Sequence, residues 1–306
     1  MTAHSFQKIA IIGFGEVGGI FGRGLADRGI SVATFDILFN SSPVREAMLA
    51  KARGCGVRAC ESAGDCLREC QLAISAVTAS SATDVAGQTA SMLAPGQIFL
   101  DINSVSPETK SRMAGFFDHS HGHFVEAAVM AAVSPQRLKV PMLLGGRYAA
   151  DLAPRLAAIG MSAKVVSEQV GVASAVKMCR SVIVKGLEAL VVESMFAARR
   201  CGAEDAVLAS LAATYPHMGW QNDLPDYLIS RVAEHGRRRA AEMREAAQAV
   251  TDVGIEPHMA RATAARQEWL ADEISANNLG RLAGDKFSWR GLADAISQAA
   301  PPAKPR

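Results

Sequence analysis

The 306-residue chain lacks a dominant charge: 32 Lys and Arg stand against 30 Asp and Glu, leaving a formal charge of +2. With 49% hydrophobic and 20% charged residues, that balance excludes a disordered chain and leaves no basic footprint for a nucleic-acid groove. Nor does any apolar run reach the roughly 18 residues of a membrane span. The opening MTAHSFQKIAIIG enters a strand directly, without the charged, apolar and cleavage regions of a secretion signal. These absences predict a soluble, cytoplasmic protein with neither a membrane nor a nucleic acid as partner. Cysteine is present, but Cys55, Cys60, Cys66 and Cys70 have neither C-x2-C zinc spacing nor the density of a secreted disulfide scaffold, so no metal is expected. Cys179 and Cys201 fall in helical stretches and read as plain thiols. No internal repeat is visible. At roughly 150 residues per domain, the length predicts two domains.

What the chain does contain, in its first half, is an alternation of short apolar runs with helical patterns. KIAIIGF, SVATFD, GVRAC, LAISAVT, QIFLDIN, FVEAAVM, KVPMLLGG and AKVVS read as strands, with helices between them at 17–28, 43–53 and 150–156. This pattern predicts a doubly wound parallel sheet over 1–165. Beyond it, 171–200 contains neither proline nor a turn cluster and predicts one long helix leaving the sheet. The remainder of 166–306, rich in Ala, Leu, Arg and Glu and broken at 215–225, 254–257 and near Gly280, predicts an all-α domain. The tail AAPPAKPR is expected to fray.

The sharpest local signal is GFGEVGG, in which Gly13, Gly15 and Gly18 form G-x-G-x-x-G between the first strand and a helix. The first glycine permits the tight turn, the second lets backbone approach a pyrophosphate, and the third lets helix and strand pack closely, with phosphate facing the positive end of the helix dipole. Gly13, Phe14, Gly15, Glu16, Val17 and Gly18 are therefore candidate cofactor contacts. Asp36, 18 positions past Gly18 at the end of the second strand, can accept from both hydroxyls of an adenine ribose. A carboxylate there repels the extra phosphate of NADP, and Ile37 and Leu38 offer it no cation, so NAD is the expected cofactor of this Rossmann domain. Arg45, a few residues on, keeps NADP open. A glycine-rich turn that binds no nucleotide is the competing reading.

Together, GFGEVGG, DINSVSPETK, FVEAAVM and GVASAVKMCRS resemble the β-hydroxyacid dehydrogenases, which include 3-hydroxyisobutyrate and 6-phosphogluconate dehydrogenases. HGRRRAAEMREAAQAVTDVGIEPHMARAT resembles a phosphogluconate dehydrogenase-like branch with its own helical C-terminal domain. The resemblance implies a Rossmann domain, an all-helical second domain reached by a long interdomain helix, a nicotinamide cofactor, a small and anionic substrate, and a homodimer. It also implies a catalytic lysine, which falls on Lys177 in 171–181 and acts as general acid and base. Taking a proton from an alcohol requires that lysine to be neutral, a state that burial and nearby arginines favour. The family's D-x-S-T-x-x-P segment falls on 101–107, so Asn103 would meet the nicotinamide ribose or carboxamide and Ser104 the substrate. Val77 and Thr78, ending the fourth strand, would lie beside the cofactor ribose.

Several positions depart from the family. Ser181 replaces an asparagine one turn beyond the lysine, a hydroxyl in place of an amide. Met130, Ala131 and Ala132 replace a Ser-Gly-Gly element that grips a substrate carboxylate, which points to a differently anchored substrate. Val184 stands where decarboxylating relatives place a second acid, which counts against decarboxylation of a sugar acid. In the helical domain His235, Arg237, Arg238, Arg239 and Glu242 are candidates, Arg239 standing near a family lysine that approaches the nicotinamide. Arg180 and Lys185 could bind an anion, and Trp220, Tyr227 and His217 could either close over a substrate or pack in a core. The expected function is hydride transfer between NAD(P) and a hydroxy acid or related polar alcohol. A sugar-acid decarboxylase, an imine reductase and a nucleotide-binding sensor without turnover remain the alternatives.

Overall fold

The computed structural model describes residues 6–40, 43–282 and 287–299, so the tail expected to fray lies, after Ala299, outside the described residues. The chain divides into two compact units, 1–177 and 178–306, and the division falls within one long helix.

The first unit runs β1 (Lys8–Ile12), α1 (Glu16–Ala26), β2 (Ser31–Phe35), α2 (Arg45–Gly54), β3 (Arg58–Ala59), α3 (Ala63–Leu67), β4 (Leu72–Ser75), α4 (Ala79–Ala90) and β5 (Ile98–Asp101). It continues with α5 (Pro107–Gly115), β6 (His123–Val129), α6 (Val133–Gln136), β7 (Met142–Gly145), α7 (Ala149–Ala158) and β8 (Ala163–Ser167), and then α8 (Val172–Arg200) begins. The described residues form one eight-stranded sheet in the order β3-β2-β1-β4-β5-β6-β7-β8. The apolar strands bury both faces: Ile9, Ile11, Leu100 and Val125 pack on one side, and Ile12, Ala73, Phe99 and Phe124 on the other. Cys60, Cys66 and Cys70 belong to that second apolar layer.

The sheet departs from an all-parallel one at β6 and β7, which pair antiparallel. The intervening chain holds only the four-residue α6 and a short 3-10 turn. That is too little helix to carry the chain back along the sheet, so it reverses at the same end. The third strand is also shorter than GVRAC predicts, with two residues in register against β2.

At the carboxyl ends of the central strands a row of polar residues lies in register: Ser75 beside Asp101, Asp101 beside Glu126, and Glu126 opposite Gly145. Direct neighbours across a sheet project to the same face. Two carboxylates therefore sit side by side in the interior, each with 0% exposure. Asp101 is matched by Lys110 of α5, itself 1% exposed, whose ammonium donates to the carboxylate and to the Asp101 carbonyl at 3.0 Å.

The second unit is helical: the remainder of α8, then α9 (Glu204–Thr214), α10 (Leu224–Asp252), α11 (His258–Ala276) and α12 (Trp289–Ala299). Its core gathers Val192, Met195, Trp220, Ile229, Leu270 and Trp289. Helices α10 and α11 approach closely at Gly236, where a Cβ would lie 2.7 Å from the Gln267 carbonyl oxygen. No helix among the described residues is long and apolar enough to cross a membrane.

Removing one partner of a buried ion pair leaves the other charge uncompensated, at about 3–5 kcal/mol. Lys110→Met is accordingly expected to lower stability in urea unfolding by about that much, and Asp101→Asn in the same chain to restore part of it. A single variant with the wild-type midpoint would show that the pair does not support the sheet.

Candidate functional site

The glycine loop closes at the point where strand order reverses, between β1 and β4, which in open α/β sheets is the ligand crevice. Gly13 has φ +91°, and a Cβ there would overlap the Ala76 carbonyl. A Cβ on Gly18 would overlap the carbonyl of Gly13, so the helix can press onto the strand end only because Gly18 has none. Gly15 is the opposite case, with no atom within 4 Å of where its Cβ would be. It is exposed backbone at the N-cap of α1, and Glu16 and Val17 open the first turn. The loop therefore fits a pyrophosphate: open space, backbone N–H groups and the positive end of a helix. Phe14 joins it only through its backbone, since its ring is fully buried against Phe39.

Two charged side chains pin the loop, one through an N–H and one through carbonyls. Asp36 accepts from the Phe14 N–H at 2.6 Å through one oxygen and from the Leu38 N–H at 3.0 Å through the other. Each carboxylate oxygen retains a second lone pair, so Asp36 can still accept from a ribose hydroxyl. Lys51, reaching over from α2, donates to the carbonyls of Phe14 at 2.8 Å and Gly15 at 2.6 Å. With both carbonyls drawn toward Lys51, the loop's peptide orientation is held. Arg45 does not approach this loop; its guanidinium donates to the Phe39 carbonyl at 2.9 Å.

Beyond β4, Val77 is half-buried and Thr78 is exposed at the N-cap of α4, its hydroxyl 3.0 Å from that of Ser80 and 3.1 Å from that of Ser81. Beyond β5, the buried Asn103 gives one amide N–H to Asp101 and the other to the Ser75 hydroxyl at 2.9 Å. Both amide donors are engaged, and the side-chain carbonyl is what Asn103 has left to offer a ligand. Next to it, the half-buried Ser104 accepts a hydrogen bond from the Lys177 ammonium. Lys177 lies in the second turn of α8, whose first turn is fastened to the buried Glu126 by three backbone N–H groups and the Ser174 hydroxyl. The structure thus brings Ser104 and Lys177 together.

The Met130–Ala132 segment ends β6. The Met130 N–H donates to the Pro141 carbonyl at 2.9 Å, so it cannot also grip a substrate carboxylate. Ala131 and Ala132 are exposed.

Within the second unit, most of the candidate polar residues face a charged or polar partner inside the unit. Ser181, buried on α8, accepts from Lys185 at 3.1 Å, and Lys185, 7% exposed, pairs with Glu242 at 2.9 Å. Arg239 donates to the Arg231 carbonyl at 3.1 Å, and its Nη1 lies 2.9 Å from Glu188 Oε2. That contact is off the line of a good hydrogen bond, and the oxygen has no hydrogen-bond partner. Burial pushes the Glu188 carboxyl up, against the pull of Arg239 and Lys185, and lowers the Arg239 guanidinium. Arg237 pairs with Asp272 and Arg238 with Glu242, and the His235 ring nitrogen Nε2 lies 3.5 Å from Glu234 Oε2. Burial and the neighbouring Arg238 lower the imidazole's pKa. Arg180 is exposed, as are Tyr227 and His217, whereas Trp220 is core. The expected cluster on α10 is present, but its cations already face carboxylates.

Four residues of this arrangement escape the sequence reading: Lys51, Ser75, Lys110 and Glu126. Glu126 had a signal, as a lone charge inside the apolar run FVEAAVM; the other three depend on long-range packing.

If Lys51 orients the phosphate-facing peptide, Lys51→Met should weaken NADH binding roughly tenfold in a fluorescence titration, about 1.4 kcal/mol, with the melting temperature little changed. Unaltered NADH affinity would show that the clasp is dispensable.

With this geometry in view, the relatives are informative. The NAD binding domain of 6-phosphogluconate dehydrogenase matches residues 8–171, and a domain of unknown function (DUF1932) matches 198–270. A conserved hypothetical protein from Sinorhizobium meliloti is 35% identical with TM-score 0.80, over 97% of this chain and 98% of its own. A conserved protein of unknown function, described as structurally similar to 3-hydroxyacid dehydrogenases, is 32% identical with TM-score 0.73, over 87% and 97%. The 3-hydroxyisobutyrate dehydrogenase of Mycobacterium tuberculosis, solved with L-serine, shares the fold at 16% identity and TM-score 0.67, over 96% and 99%. The chain belongs to the β-hydroxyacid dehydrogenase-like superfamily, with an NAD(P)-binding Rossmann domain of the 6-phosphogluconate dehydrogenase type followed by a helical C-terminal domain.

Proposed function

We propose that the protein is an NAD(P)-dependent dehydrogenase that transfers hydride between the nicotinamide and a hydroxy acid or related polar alcohol, with Lys177 as general acid and base. The observation that carries this reading is the Lys177–Ser104 hydrogen bond, located in the unit that holds the dinucleotide loop. Gly13, Gly15, Gly18 and the first turn of α1 would hold the pyrophosphate, Asp36 the adenine ribose, and Val77, Thr78 and the Asn103 carbonyl the nicotinamide half. When bound, the nicotinamide supplies the hydride acceptor or donor. Ser104 would orient the substrate oxygen beside Lys177. In oxidation a neutral Lys177 takes the alcohol proton; in reduction its ammonium returns one to the carbonyl oxygen.

The engaged Met130 amide supports a substrate anchored by something other than the end of β6. Val184, in place of a second acid, argues against decarboxylation. The same Met130 amide also favours a second reading, a protein that binds the dinucleotide without turnover, because the oxyanion grip is lacking there.

The discriminating experiment is oxidation of 3-hydroxyisobutyrate, L-serine, 3-hydroxypropionate and 6-phosphogluconate with NAD, alongside NADH titration. Lys177→Ala is expected to lower kcat by roughly 100- to 10,000-fold with NADH affinity unchanged. NADH binding with no oxidation across hydroxy acids and no reduction of the matching carbonyl compounds would favour the non-catalytic reading. From Asp36, NADH should bind at least about tenfold more tightly than NADPH; a preference for NADPH would remove Asp36 as the selecting group.

A further inference from the structure

We infer that Glu126 is the positioning residue for Lys177: a buried carboxylate in the sheet that captures the start of α8 and thereby fixes where the lysine stands. The inference rests on the dehydrogenase reading above and names what makes its central residue usable.

Glu126 is fully buried on β6, and an ionised carboxylate in such a place survives only if its lone pairs are answered. Here they are answered by one element. Oε1 accepts from the Gly171 N–H at 2.6 Å and the Ala173 N–H at 3.0 Å. Oε2 accepts from the Ser174 hydroxyl at 2.9 Å and, more loosely, from the Ser174 N–H at 3.4 Å. These N–H groups are the ones a helix leaves unpaired at its start, and the negative charge meets the positive end of the helix dipole. The usual device is a short side chain at the N-cap, local in sequence. Here the acceptor comes from 45 residues upstream, so the helix is registered against the sheet and not merely terminated.

The surroundings are shaped around this contact. Gly145, opposite Glu126 in the antiparallel pair, would place a Cβ 2.5 Å from Oε1 and 3.1 Å from the Gln169 carbonyl. Gly171, whose N–H meets the carboxylate, takes φ +102°, a backbone conformation that favours glycine as the chain turns into α8. Glu126 itself has no remaining route to a substrate, since the helix end occupies both oxygens. It therefore acts through Lys177, three residues past Ser174 on the next turn. A helix free to slide or fray at this end would carry the ammonium away from the Ser104 hydroxyl, and displacements of about 1 Å in a reacting group cost about 100-fold in rate.

The test compares Glu126→Gln, Gly145→Ala, Lys177→Ala and Glu126→Gln/Lys177→Ala in the full chain, with circular dichroism to verify folding. Glutamine keeps one acceptor oxygen but turns an amide toward N–H donors. It should speed hydrogen exchange at amides 171–177 at least tenfold. It should also lower kcat 10- to 100-fold for the panel acid oxidised fastest, with NADH affinity and substrate KM within about twofold. Gly145→Ala, which crowds the carboxylate without removing it, should reproduce a milder kcat loss, three- to tenfold. The double variant should be no slower than Lys177→Ala alone, because both act on one group. Wild-type exchange at 171–177 in Glu126→Gln, wild-type kcat, or a double variant slower than Lys177→Ala by the full Glu126 factor would each overturn the inference. A fully active Lys177→Ala would overturn it too, and faster exchange in Glu126→Gln alongside would trace the failure to the lysine's role and not to the capture of the helix.

Discussion

Charge placed inside a sheet must be answered locally, and in this protein that requirement organises the candidate-site end of the first unit. Asp101 and Glu126 are neighbours in register on adjacent strands, both without solvent. Two bare carboxylates at that separation would repel strongly in a low-dielectric interior. The fold resolves this by giving each its own partner from a different element. Lys110 of α5 answers Asp101, and the N-terminus of α8 answers Glu126. The same contacts set the two segments that follow: Asn103 is held through Asp101 and Ser75, and the first turn of α8 through Glu126. Electrostatic compensation and construction of the candidate site are one arrangement.

The strand alternation, the G-x-G-x-x-G loop and the long helix were legible because each is encoded within a short window. Short continuous apolar runs make strands buried on both faces, a glycine without a Cβ makes the Gly13 turn, and the uninterrupted 171–200 stretch makes α8. What escaped was set by distance in sequence or by pairing direction. Lys51 meets Phe14 across 37 residues and Glu126 meets Gly171 across 45, and no local pattern marks either pair. The reversal at β7 was hidden for a different reason: KVPMLLGG has the same strand pattern whichever way it runs, and only the shortness of α6 decides. Family resemblance supplied Lys177 and Ser104 as positions; their hydrogen bond is a property of the folded unit.

The helical unit illustrates why a run of like charges is a poor guide to a ligand. Arg237, Arg238 and Arg239 look like an anion site in the sequence, but each points to a carboxylate on α8, α10 or α11. Arg239 and Glu188 lie where desolvation penalises both, so their mutual attraction chiefly offsets the cost of placing them there. Lys185, joined to Ser181 and Glu242, is similarly enclosed. These contacts fix how α10 lies against α8 inside this unit.

Because Glu126 answers the start of α8 from 45 residues upstream, the long helix inherits an order of assembly. Its later turns can form from local hydrogen bonds alone, but its first turn gains its acceptors only once β6 is already in the sheet. Closing that loop has an entropic cost that local helix formation does not meet. The first residues of α8 can therefore be locked only against a sheet that already holds β6, which ties the start of the helix to the assembly of the strands.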